Sequence, residues 1–112
     1  MKKILFACAA LFLFTSVLKA DPPKKITLVY SAETKKLSIE VYHPVQKVED
    51  HFIDMISISV DGKEVKVLKP LKQTNEKSEL DVVLLPEIKA GSLVKVKARC
   101  NRFGTKSTDL KI

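Results

Sequence analysis

Three side chains in this sequence carry donors that bind transition metals: the imidazoles of His43 and His51 and the thiol of Cys100. The chain has no other histidine, and its other cysteine, Cys8, sits inside an N-terminal apolar run. Imidazole together with thiolate suits iron, zinc or copper, whereas calcium or magnesium would call for clustered oxygens. His43 stands immediately before Pro44, and His51 follows across a loop rich in charge, with Lys47, Glu49 and Asp50, that can fold back on itself. The same residues also admit a plainer reading: a half-buried histidine with its bonds made, a surface-loop histidine and a cysteine serving as a small core hydrophobe. Spacing alone leaves both readings open.

The choice depends on the elements that hold the three residues. Leu37, Ile39, Val41 and His43 share one face of a period-two segment whose other face is Ser38, Glu40 and Tyr42. Val94, Val96, Ala98 and Cys100 likewise alternate with Lys95, Lys97 and Arg99. His43 and Cys100 therefore end two inward stripes, and if both strands run in the same direction an imidazole and a thiol meet at one end of the fold, on loops that a metal or substrate can reach. Ile56, Ile58 and Val60 alternate with Ser57 and Ser59, and Asp61-Gly62 then supplies a tight hairpin turn into Glu64-Val65-Lys66-Val67. Weaker strand segments cover residues 26–30, 79–85 and 105–112. Turn signals lie near Ser31-Ala32-Glu33, Lys69-Pro70, Asn75-Glu76, Pro86 and Ala90-Gly91-Ser92. No segment after residue 20 carries a useful helical period. About seven short alternating strands in one domain indicate an all-β, immunoglobulin-like antiparallel sandwich.

At the N-terminus, Lys2 and Lys3 precede an apolar run from Ile4 to Leu18 that closes at Lys19-Ala20, the pattern of a signal peptide over residues 1–20. The run is shorter than the ~20 residues a membrane span needs. Cys8 lies in the middle of it, which leaves too short an apolar stretch for a lipoprotein cut there. The expected mature domain is residues 21–112, exported to the periplasm or secreted, with no membrane span. Losing Lys2, Lys3 and Lys19 lowers the formal net charge from +7 to +4. The remaining lysines alternate with apolar residues along strands, as on a solvated face, and do not gather with aromatics in a stripe, so nucleic acid is not an expected partner. With Cys8 removed, Cys100 has no partner for an internal disulfide, although an exported protein meets an oxidising compartment.

The order His43-Pro44, then Asp50-His51-Phe52-Ile53, then a strand and the Asp61-Gly62 turn, then Cys100-Asn101-Arg102-Phe103-Gly104, resembles the iron domain of the superoxide reductase family, also called desulfoferrodoxin or neelaredoxin. The likeness covers residues 26–112 in order of elements. In that family a His-Pro pair, a second histidine before an aromatic-isoleucine pair, and a late Cys-Asn-x-His-Gly segment bind one ferrous ion on an immunoglobulin-like sandwich. Four imidazoles surround the iron and the cysteine sulfur is axial. By position the resemblance places metal ligands at His43, His51 and Cys100. It implies superoxide as the substrate and an external electron donor as the partner.

The chain departs from the pattern at two ligands. Phe103 stands where the late histidine belongs, and nothing between Asp21 and Tyr30 supplies the early one. The loop from His43 to His51 is slightly longer than the family's, and no Cys-x-x-Cys pair marks a rubredoxin-like module. Two imidazoles and one thiolate are closer in number to a zinc or copper site. The expectation is an exported superoxide reductase-like protein that binds iron or another transition metal with at most residual redox activity. The alternative is a non-catalytic binding or envelope accessory module on the same sandwich. Phe103 is further expected to lean over the site and fill the space of the missing imidazole, so that Phe103→His would raise iron affinity.

Overall fold

The computed structural model describes residues 22–112; the signal peptide expected at residues 1–20 lies outside them. Seven strands follow in order: β1 Lys25–Ser31, β2 Lys36–Tyr42, β3 Ile53–Val60, β4 Lys63–Leu68, β5 Ser78–Leu84, β6 Leu93–Cys100 and β7 Thr105–Lys111. They form two antiparallel sheets, β1-β2-β5 and β4-β3-β6-β7. No helix is present among the described residues, and none there is long and apolar enough to cross a membrane. The constant-type immunoglobulin order places its fourth strand in the sheet of the first, second and fifth. Here β4 pairs with β3. The cause is the two-residue loop between them. Asp61 and Gly62 have φ of 52° and 85°, the left-handed pair of a type I′ turn, whose twist matches that of paired strands and forces them to be neighbours.

The alternating stripes become the two inner faces. Leu37, Ile39 and Val41 of β2 face Ile56 and Ile58 of β3 and Val94, Val96 and Ala98 of β6, all essentially inaccessible. Leu85 and Ile88 close the core beyond β5. Removing one such side chain, as in Leu37→Ala, typically costs about 2–5 kcal/mol through lost transfer energy and the cavity left behind.

Two strands break the simple pattern. On β5 the apolar Leu80, Val82 and Leu84 are exposed while Glu79 is buried. That carboxylate is held by the backbone N–H and hydroxyl of Thr74, at 2.9 and 3.1 Å. On β3 the pairing with β6 slips by one residue: Ile53 lies opposite Cys100, but Met55 lies opposite Arg99. Asp54 is the extra residue of a β-bulge. Inward residues on β3 are therefore Val60, Ile58 and Ile56, and then Ile53, because a bulge reverses which parity faces the core.

Candidate metal centre

That reversal of parity aims His51. Two residues before Ile53 on the same face, His51 turns inward and is 9% exposed. Continued without the bulge, the stripe of Ile56 and Ile58 would have put Phe52 inward and His51 outward. Three contacts fix the bulge and the chain leading into it. The Asp54 carboxylate receives two bonds from the Arg99 guanidinium, at 2.9 and 3.2 Å, a charge-assisted fork that holds the Arg99 pKa above its ordinary value. Phe52 N–H donates to Asn101 Oδ1 at 3.0 Å, and Asn101 N–H returns a bond to Phe52 O at 2.9 Å. Asn101 Nδ2 reaches Asp50 O at 3.1 Å. The residue after the cysteine thus ties the His51 loop to the end of β6. The loop folds back through a turn in which the N–H groups of Asp50 and His51 both donate to Lys47 O.

His43 continues the inward stripe of β2 past its last paired residue and is 1% exposed. Its N–H donates to Lys77 O at 2.8 Å, so the chain keeps its extended course up to Pro44. Its ring meets Gln73, a buried residue of the loop between β4 and β5: Nδ1 lies 2.8 Å from Gln73 Oε1. Cys100 ends β6 with 3% exposure and is a free thiol. The sulfur accepts the N–H of Arg102 at 3.4 Å, a contact of the kind that tunes electron density on a metal-bound sulfur.

The two imidazoles and the thiol come together. One ligand atom from each of His43, His51 and Cys100 lies within 4.8 Å of the other two, and the two rings meet edge to face. The plainer reading placed His51 on a surface loop; it is buried with the others. A tetrahedral ion bonded at ~2.0–2.1 Å to nitrogen and ~2.3 Å to sulfur spans donor separations of roughly 3.3–3.6 Å. Rotamer adjustments of about 1 Å would bring the three donors onto one ion. The donor set fits a three-ligand zinc, copper or iron site. It does not fit the five-ligand iron centre, because the chain's two histidines cannot provide four imidazoles.

Phe103 does not fill the place of a missing imidazole; its side chain is 66% exposed. The turn after β6 closes through Cys100 N–H to Gly104 O at 2.9 Å, and inside it Arg102 donates its N–H to the sulfur, which leaves Phe103 at the outer crest. The gain of iron affinity expected for Phe103→His therefore has no geometric basis. Arg102 instead borders two clefts that adjoin the donor residues. One, of about 450 Å³, is lined by Pro44, Lys47, Asp50 and His51; the other, of about 610 Å³, includes Cys100, Asn101 and Phe103. Gln73 and Arg102 were not among the expected site residues. Gln73 sits in a turn region without periodicity, so its direction could not be read, while Arg102 acts at the sulfur through its backbone, which sequence does not specify.

No protein-family model, no curated protein and no solved structure matches this chain.

Proposed function

We propose that this protein is an exported transition-metal-binding protein of superoxide reductase-like design, in which His43, His51 and Cys100 hold one ion. The observation that carries the reading is the convergence of three soft or borderline donors, all buried, from the two ends of the β2–β3 connection and the end of β6 within 4.8 Å. Three protein ligands leave a further coordination position for water or a small substrate, the arrangement of reactive rather than structural sites. A bound redox-active ion would supply one-electron chemistry, with the thiolate raising its electron density. The chain's own part is to fix the donors. The stripes of β2 and β6 aim His43 and Cys100, the bulge in β3 aims His51, and the Asn101 bonds lock the loop that carries it. Lys47 and Arg102 flank the cleft beside His51 and favour a small anion there. Superoxide reduction would be weak, because two of the family's imidazoles are missing, and would need an external electron donor.

Metal analysis of the purified residues 21–112, alongside titration with Zn²⁺, Cu⁺ and Fe²⁺, tests this. One equivalent of bound metal, lost in Cys100→Ser and in His43→Ala, is expected. No uptake of any of the three ions by folded protein would overturn it and leave the sandwich as a non-catalytic binding module.

A further inference from the structure

Gln73 is 1% exposed, and every polar atom of its side chain is engaged. Its Nε2 donates to His43 O at 2.7 Å and to Asn75 O at 3.0 Å, and its Oε1 faces His43 Nδ1 at 2.8 Å. Two carbonyl oxygens can be faced only by the NH₂ end of an amide, which settles which end is which. The oxygen must therefore point at the imidazole. An amide oxygen has no proton to give, so Nδ1 of His43 must be the donor, and in the neutral ring the lone pair then resides on Nε2. Gln73 itself is anchored by its N–H to Val48 O at 3.0 Å, which places it between the loop carrying His51 and the end of β2.

Building on the metal reading above, we propose that Gln73 is a positioning residue: it fixes His43 in the Nδ1–H tautomer and makes Nε2 the atom that binds the ion. The same amide grips the main chain and the ring of His43, so it sets ring orientation and proton location together. Hydrogen bonds of this type to a ligating histidine govern metal affinity by roughly 10–100-fold.

The test is long-range ¹H–¹⁵N NMR of the two imidazoles in metal-free protein, with His51→Asn used to assign the signals, followed by Zn²⁺ titration of wild type and Gln73→Met. The expected result is a protonated Nδ1 and unprotonated Nε2 for His43, loss of that single tautomer in Gln73→Met, and Zn²⁺ affinity reduced by roughly 10–100-fold. An Nε2–H tautomer in the wild type would overturn the proposal. So would a Gln73→Met protein with unchanged tautomer and affinity. If Gln73→Met does not fold, the wild-type spectrum alone decides. The Nδ1–H tautomer in a wild type that takes up no Zn²⁺ supports the tautomer assignment and sinks the metal reading instead.

Discussion

Ile53 pairs directly with Cys100 across the β3–β6 ladder, yet Met55, two residues further along β3, pairs with Arg99, the immediate neighbour of Cys100. The single residue gained at Asp54 turns His51 toward the sulfur, so the bulge is the structural event that assembles the centre.

Deleting Phe52 should leave the bulge at Asp54 in place and shift His51 by one position, which rotates its imidazole to the opposite face; deleting Asp54 instead removes the bulge and its reversal of parity together, so His51 stays inward. The Phe52 deletion is expected to give a folded but weakened domain, destabilised by more than about 1 kcal/mol, that has lost Zn²⁺ binding, while the Asp54 deletion keeps it. Urea unfolding and Zn²⁺ titration would check it; retained binding in the Phe52 deletion would show that the parity set at the bulge does not aim His51.

Gly104 should not tolerate a side chain. Its φ is +104°, and a Cβ there would lie 2.7 Å from Pro22 Cβ and 2.8 Å from Pro22 Cα, too close to be relieved by a rotamer change. Gly104→Ala is expected to cost of order 1–3 kcal/mol and to loosen the turn that presents the Arg102 N–H to the sulfur. Thiol labelling of Cys100 in native protein should become faster, and an unchanged rate together with an unchanged urea midpoint would contradict this.

Stability should fall as pH rises through neutrality. Burial, reinforced by neighbouring Asp81, pushes Glu79 from 4.5 to about 7. The folded state holds a proton there that the unfolded chain has released. The favourable contribution of this group is therefore complete below about 4.5 and disappears as pH passes 7. Glu79→Gln keeps an oxygen for the Thr74 donors and removes the ionisation. It should be more stable than wild type above pH 7, with the difference vanishing below pH 4.5. Thermal melts across pH 4–9 would show it; parallel profiles for the two proteins would refute it.

The stripes of β2 and β6 were legible because one inner face of each is unbroken, from Leu37 to His43 and from Val94 to Cys100, and both strands end at the same rim. The Asp61-Gly62 turn was legible because an Asp-Gly pair tolerates the two positive φ angles that a type I′ turn requires. Between Ile53 and Ile56 the period breaks, and no alternating pattern carries across a bulge, so the burial of Ile53 and the direction of His51 were hidden. Phe103 was misread because the course of the turn depends on where its N–H groups find acceptors, and one of those acceptors is the sulfur. Gln73 lies far from the other site residues in sequence and joins them only when the loop before β5 folds over the end of β2. The inverted pattern of β5, with Glu79 inside and Val82 outside, likewise reflects a register set by pairing with β2 and not by its own hydrophobicity.

The most direct test of the central claim is X-ray absorption spectroscopy of the metal-loaded domain. A single ion held by His43, His51 and Cys100 predicts one sulfur at ~2.3 Å and two imidazole nitrogens at ~2.0–2.1 Å, with the sulfur absent in Cys100→Ser. A first shell of oxygen and nitrogen alone, the same in wild type and Cys100→Ser, would contradict it.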